Sequence, residues 1–172
     1  GVQLVSEPGV LQPPGGGYGF RCFDPNGLTI EISSDVEYRR HRTLEPREAI
    51  PVRLSHVVVN SPTPEATRAW YEQHLGFRVS DTLHHPAMGE LFSFMRCNAQ
   101  HHVFAIARGP HTALNHASFE MRGIDEYMFA TGRMLRADTR MIWGPGRHRA
   151  GDNTFAYFMD PNGNAMELTT EL

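Results

Sequence analysis

The sequence lacks the features that mark several large classes of protein. It contains two cysteines in 172 residues, Cys22 and Cys97, which is too few for a scaffold built on disulfides and fits a reducing cytoplasm. No apolar run approaches the roughly 18 residues of a membrane-spanning helix. The formal net charge of -3 provides no basic excess for contacts with nucleic-acid phosphates. We therefore expect a cytoplasmic protein with small-molecule partners, and neither a membrane nor a nucleic acid among them.

The sequence does have the composition of a folded domain, with an excess of histidine. Hydrophobic residues make up 40% and charged residues 20% of the chain, as is typical of a globular protein. Ten histidines stand against sixteen strongly basic residues, all of which are arginines. Because imidazole is the commonest metal-binding side chain and titrates near neutral pH, the histidines are the first candidates for metal ligands or proton carriers.

A duplicated turn motif divides the chain. Asp-Pro-Asn-Gly occurs at residues 24–27 and again at 160–163, each time between two strand-like segments. These residues are preferred in type I turns, so each copy predicts a β-hairpin. We interpret residues 1–36 as the C-terminal remnant of an incomplete N-terminal domain. Residues 37–50, which are charged and punctuated by proline, are then a linker, and residues 51–172 form the functional domain.

A fainter repeat predicts the architecture of that functional domain. Residues 54–59 and 114–119 both have the pattern of a strand, with a histidine in the same phase. Thr63 and Pro64 predict the start of a helix after the first strand, and Gly76 predicts its end. The other predicted elements are strands at 77–81, 91–96 and 102–107 in the first unit, then a helix at 125–135 and strands at 139–143, 154–160 and 164–170 in the second. Two βαβββ units therefore predict an α+β fold with an open, barrel-like mixed sheet.

Two histidines and one glutamate fit a metal site. His56 and His116 lie at equivalent positions of the two repeated strands, and Glu167 lies among apolar residues on the last strand. A buried carboxylate needs a partner, and two imidazoles with one carboxylate form the ligand set of non-haem iron sites. Each residue also has an ordinary interpretation, as a core histidine or a solvent-facing glutamate. Glu31 occupies the position of Glu167 in the first hairpin, so the glutamate is partly a feature of the hairpin itself.

Three further polar side chains are candidates for the same site. His102 begins a predicted strand, His148 lies in a glycine-bounded loop, and Tyr157 lies on the strand before that of Glu167. A type I turn with a bulge at Gly163 places Tyr157 directly opposite Glu167, whereas a plain two-residue loop shifts that register. Taken alone, Tyr157 also fits an ordinary core aromatic residue and His148 a solvated one. The histidines expected at the surface or in loops are His41, His74, His84, His85, His101 and His111.

The C-terminal residues carry a motif that resembles a known family. The motif runs Gly146-x-His148 and then Tyr157-x-x-Asp160-Pro161-x-Gly163-x-x-x-Glu167. It is similar to the signature of the type I extradiol, catechol-cleaving dioxygenases of the vicinal oxygen chelate superfamily. Residues 69–77 are similar, less specifically, to a helix of that superfamily. The resemblance covers residues 50–172, while residues 18–36 look like the end of the family's N-terminal domain.

The resemblance implies roles for the candidate residues. The ligands of Fe(II), less often Mn(II), would be His56, His116 and Glu167. His102 would be the acid–base residue, with the adjacent His101 as the alternative. The side chains that hydrogen-bond the catecholate oxygens would be His148 and Tyr157. Ala156 and Asn115 depart from the family pattern, and both departures bear on the substrate pocket without removing a ligand.

The same resemblance implies an activity in the catabolism of aromatic compounds. The chain would cleave the ring of a catecholic substrate with O2, incorporate both oxygen atoms and release a semialdehyde acid. We expect it to work as a homo-oligomer. One alternative is a metal-dependent lyase or isomerase of the glyoxalase type, whose sites use more carboxylate ligands. The other is a non-catalytic small-ligand-binding protein of the same fold.

Overall fold

The computed structural model describes residues 2–172, which form two sheets and two helices. The elements in chain order are β1 (Leu4–Val10), β2 (Tyr18–Phe23), β3 (Thr29–Ser34), β4 (Arg53–Ser61), α1 (Pro64–Leu75), β5 (Arg78–His85), β6 (Gly89–Arg96), β7 (Phe104–Arg108), β8 (Ala113–Glu120), α2 (Ile124–Arg136), β9 (Met141–Arg147), β10 (Thr154–Met159) and β11 (Ala165–Thr170). No helix in this part of the chain is long and apolar enough to cross a membrane.

Two βαβββ units build the larger sheet. The first comprises β4-α1-β5-β6-β7 and the second β8-α2-β9-β10-β11. In each unit the first strand pairs in parallel with the last, and the other neighbours pair antiparallel. The units join through antiparallel β4 and β8, which gives the order β5-β6-β7-β4-β8-β11-β10-β9. The predicted α+β fold is therefore confirmed, with an open sheet whose edges are β5 and β9.

The two helices cover one face of this sheet. Val59, Tyr71, Met95 and Ile106 form the buried cluster beneath α1. A second cluster, which includes Met121, Tyr127, Phe158 and Leu168, lies beneath α2. Because successive residues of a strand point to opposite faces, the apolar residues of the outer face alternate with residues that point inward. The inner face is thus left available for a site.

Helix α1 begins and ends where the sequence predicts. Pro64 occupies the first turn, where its missing N–H is no loss, and Gly76 ends the helix with a φ of 69°, a left-handed conformation that glycine adopts without strain. Thr63 precedes the helix as expected, but its side chain makes no capping hydrogen bond.

The first hairpin, β2–β3, belongs to a separate three-stranded sheet and packs against the first unit. The third strand of that small sheet, β1, was not predicted from the sequence. The side-chain N–H of Asn26 donates to Thr67 Oγ1 at 2.8 Å, and Ser61 Oγ donates to Asn26 Oδ1 at 3.0 Å. The Tyr71 hydroxyl donates to Asp24 at 3.3 Å. The turn residues of this hairpin therefore fix it to α1 and β4.

Strand β9 differs from the prediction. Residues 139–143 were expected to form the strand and the following Gly-Pro-Gly a loop, but the strand runs over Met141–Arg147. It is an edge strand, and within residues 2–172 it pairs only with β10. Since an edge strand leaves N–H groups outside the ladder, Pro145 is tolerated within it.

Candidate metal centre

The register of the central strands brings distant residues to one place on the inner face. His56 on β4 pairs with Ser118 on β8, and Ser118 pairs with Glu167 on β11. Glu167 in turn pairs with Tyr157 on β10. His116 lies two residues before Ser118 and points to the same face. Five positions from four strands thus meet at the middle of the sheet.

Three of these residues form a compact set of possible metal ligands. His56 Nε2 lies 2.9 Å from Glu167 Oε2, and His116 Nε2 lies 3.5 Å from the same oxygen. Each residue offers one ligand atom within 4.8 Å of the other two. The exposed fractions are 3% for His56, 7% for His116 and 0% for Glu167. The structure therefore brings the three predicted ligands together in a buried position.

The polar atoms of this set fit a cation. His116 Nε2 and both carboxylate oxygens of Glu167 are buried without a hydrogen-bond partner among the described residues. Burial favours a higher pKa for Glu167, but the contacts with His116, His148 and His56 outweigh it and hold the pKa well below its usual range. The carboxylate is thus ionised, and a buried charge requires a compensating partner. A divalent metal ion bound by two imidazoles and one carboxylate meets that requirement.

His102 adjoins this set and His101 does not. The ring of His102 is buried, and its centroid lies 4.3 Å from that of His56. Burial lowers the pKa of His102, so the imidazole is neutral. His101 is half-buried behind it, with the two Nδ1 atoms hydrogen-bonded at 2.9 Å. Of the two histidines, only His102 lines the central cavity.

His148 and Tyr157 form a hydrogen-bonded pair on the other side of the set. His148 Nε2 lies 3.1 Å from the Tyr157 hydroxyl and 3.4 Å from Glu167 Oε1. Burial and the negative charge of Glu167 raise the pKa of Tyr157, which therefore keeps its phenolic proton. The predicted register is confirmed, because Tyr157 lies directly opposite Glu167 and the backbone N–H of Asp160 donates to Asn164 O at 2.8 Å.

The set lies at the bottom of a cavity of about 710 Å³. Both edges of the sheet contribute to its walls, with Leu83 from β5 and Trp143 from β9. The sheet therefore curls around the site and leaves the mouth between its edges. Phe94 lies next to the catalytic candidates, with its ring 5.0 Å from that of His102. Trp143 is stacked on Tyr157 at 5.5 Å.

These apolar walls were not predicted from the sequence. The alternation that places Phe92 and Phe94 on one face of β6 was an available signal, but the inner and outer faces of that strand are both apolar. Trp143 could not be predicted as a wall residue, because the sequence does not show that strand β9 lies at the mouth of the cavity. Two arginines near His148 differ in role: Arg147 pairs with Glu171, whereas Arg149 lines the cavity.

Comparison with known proteins gives a consistent group of relatives. The sequence model of the Glyoxalase/Bleomycin resistance protein/Dioxygenase superfamily matches residues 53–168. Metapyrocatechase 2 of Cupriavidus necator is 28% identical over 73% of this chain and 38% of its own length. An iron-dependent extradiol dioxygenase of Rhodococcus jostii is 28% identical over 86% of this chain and 54% of its own length.

A solved structure is more similar in sequence. The Mn(II)-bound glyoxalase from Novosphingobium aromaticivorans is 44% identical, superposes with a TM-score of 0.92, and is matched over 99% of this chain and 55% of that one. The chain spans about half the length of the curated relatives it matches.

Proposed function

The chain belongs to the Glyoxalase/Bleomycin resistance protein/Dioxygenase superfamily, and on that premise we propose that it is a non-haem extradiol dioxygenase. It would cleave the ring of a catecholic aromatic with O2 and release a semialdehyde acid. The observation that carries the proposal is the convergence of two histidines and a buried glutamate, at ligand spacing, with three further acid–base side chains around one cavity. The names of the curated relatives support the same reaction class.

The proposed metal ligands are His56, His116 and Glu167, holding Fe(II) or Mn(II). Three buried polar atoms without hydrogen-bond partners, found where the ligand atoms converge, support this assignment. When bound, such an ion supplies Lewis acidity toward the catechol oxygens and electron transfer to dioxygen. Iron is named for one relative and manganese for another, so both metals belong in the experiments.

We propose that His102 transfers the proton in the reaction. Its imidazole adjoins His56 and faces the cavity, so it is placed to exchange a proton with the substrate and with the product. His101, which does not line the cavity, is the weaker candidate.

His148 and Tyr157 would bind the oxygens of the substrate. Both line the cavity, and they already share a hydrogen bond of 3.1 Å. The Tyr157 phenol keeps its proton and therefore donates to negative charge on a catecholate oxygen. The apolar walls at Phe94 and Trp143 can contact an apolar substituent on the catechol ring.

The domain division proposed from the sequence is consistent with this site. All six proposed site residues lie within residues 51–172, in the two βαβββ units. The three-stranded sheet lies within residues 1–36, which we propose as the remnant of an N-terminal domain, and residues 37–50, the proposed linker, contain no helix or strand. A homo-oligomeric assembly stays a prediction.

The proposal is tested by assaying the metal-loaded protein with a panel of catechols. The protein is first loaded with Fe(II) under exclusion of oxygen. It is then mixed with O2 and with one catechol at a time: unsubstituted, alkyl-substituted, phenyl-substituted or carboxylate-bearing. We expect a yellow ring-opened product and one O2 consumed per substrate. His116→Ala should abolish turnover, whereas His74→Ala, at an exposed position of α1, should not. Metal-loaded protein that consumes no O2 with any of these catechols would contradict the proposal.

A glyoxalase-type lyase or isomerase is the second candidate. The name of the solved structure at 44% identity favours it. The ligand set described here contains a single carboxylate, which favours the dioxygenase. Because an isomerase needs no oxidant, metal-dependent conversion of a 2-oxoaldehyde–thiol adduct under strict exclusion of O2 would favour this second function.

A further inference from the structure

A buried hydroxyl group near the proposed metal centre has no role in the proposed reaction. Ser118 on β8 is 0% exposed, and its Oγ has no hydrogen-bond partner among residues 2–172. A buried hydroxyl without a hydrogen-bond partner destabilises a fold, because it has lost its hydrogen bonds to water and gained none in the protein. The groups that surround Ser118 therefore indicate what its hydroxyl is placed to meet.

The register of the sheet fixes the neighbours of Ser118. It pairs directly with His56 on one side and with Glu167 on the other. Directly paired side chains project from the same face, with Cβ atoms typically about 5 Å apart. His116 precedes Ser118 by two positions on β8 and points to the same face. All three proposed ligands therefore lie on the same face as Ser118, on its own strand or on one of the two strands beside it.

Glu167 is the neighbour that can accept its hydrogen. Both carboxylate oxygens are buried and lack a hydrogen-bond partner in the described chain. A carboxylate that gives one oxygen to a metal ion still has a second oxygen, and ligating carboxylates in proteins are usually hydrogen-bonded in turn. A serine hydroxyl rotates to suit its acceptor, and Ser118 comes from the neighbouring strand at the same level.

We propose that Ser118 is a positioning residue of the metal centre, whose Oγ–H donates a hydrogen bond to the Glu167 carboxylate in the metal-bound protein. This bond fixes the orientation of the ligand and compensates the hydroxyl for its burial. The inference rests on the metal site of the proposed function, but it concerns metal affinity and not ring cleavage. His148 and Tyr157 remain available for the substrate.

The experiment measures Mn(II) affinity in the absence of any substrate. Free Mn(II) is counted from its electron paramagnetic resonance signal during titration of metal-free protein. Ser118→Ala removes the donor, and Ser118→Thr retains a hydroxyl at the same position. Thr131→Val is the matched control, because it removes another buried hydroxyl, on α2 at the outer face of the sheet. Thermal melts of the metal-free proteins verify that each variant folds.

We expect Ser118→Ala to raise the Kd for Mn(II) about tenfold, Ser118→Thr to restore most of the affinity, and Thr131→Val to leave it unchanged. Unchanged affinity in Ser118→Ala would overturn the inference, and so would an equal loss in Thr131→Val. The alanine and valine variants decide the question even where the additional methyl group of threonine prevents folding.

The test separates this inference from the proposed function. If the unsubstituted protein binds Mn(II) with the expected pattern but cleaves no catechol, the role of Ser118 stands and the dioxygenase proposal fails. If the unsubstituted protein binds no Mn(II), the metal site is wrong and the role of Ser118 with it.

Discussion

Replacing Tyr157 by phenylalanine tests the proposed substrate contacts with little change in packing. The variant keeps the aromatic ring, and therefore its stacking on Trp143 at 5.5 Å. It loses the hydroxyl that lies 3.1 Å from His148 Nε2. Because burial and Glu167 raise the pKa of this phenol, it is a donor throughout the usual assay range.

The expected loss follows from the kind of hydrogen bond removed. A hydrogen bond to a charged group contributes about 1.5–3 kcal/mol, and a catecholate oxygen is such a group. With about 1.4 kcal/mol for each factor of ten, kcat/KM should fall roughly 10- to 150-fold. The assay is initial O2 uptake by Fe(II)-loaded protein at several concentrations of the best catechol in the panel.

Two controls make this prediction specific. Mn(II) affinity should not change, because Tyr157 is not a proposed ligand. Tyr18→Phe, at a position on β2 that is 51% exposed, should leave kcat/KM unchanged. A Tyr157→Phe protein with kcat/KM close to that of the unsubstituted protein would refute the reasoning, because the phenol would then not contact charge that develops on the substrate.

Three further substitutions have separate expected outcomes. His102→Gln should lower kcat by about 10²- to 10⁴-fold, as loss of an acid–base group does, while the metal content measured by atomic absorption stays the same; a loss of metal would instead place His102 among the ligands. Trp143→Ala should raise KM about tenfold for a phenyl-substituted catechol, because roughly 60 Å² of apolar contact is lost at about 25 cal/mol per Å². The KM for unsubstituted catechol should change much less. Equal changes in KM for the two substrates would mean that Trp143 does not contact the substituent. Phe158→Ala, at a fully buried position beneath α2, should lower the free energy of unfolding in urea by about 3–5 kcal/mol, and a loss below 1 kcal/mol would mean that this cluster does not stabilise the domain.

The fold was largely predictable because its signals are local or repeated. The Asp-Pro-Asn-Gly turns are type I turn sequences, and hairpins occur at both. Pro64 and Gly76 mark the ends of α1. The edge strands were predicted less well, since β5 runs to His85 and β9 to Arg147, both beyond the predicted ends. Edge strands tolerate polar residues, glycine and proline, so they lack the apolar alternation that identifies a strand in sequence.

The polar residues of the candidate site were predictable from the sequence, whereas the walls of its cavity were not. The repeat located His56 and His116 at equivalent positions, and turn chemistry located Tyr157 opposite Glu167. The walls of the cavity come from strands that are neighbours only after the sheet has curled, so no spacing in the sequence predicts that Leu83 and Trp143 share it. The position of Ser118 likewise follows from pairing with two strands, each distant from it in the chain.

The central claim is that His56, His116 and Glu167 hold one metal ion. The most direct measurement is anomalous diffraction at the iron absorption edge from crystals of the protein loaded with Fe(II) in the absence of oxygen. We expect one anomalous peak for each chain, within coordination distance of a nitrogen from each histidine and a carboxylate oxygen, and no such peak in His116→Ala crystals. A peak at other residues, or none in crystals of the unsubstituted protein, would contradict the account.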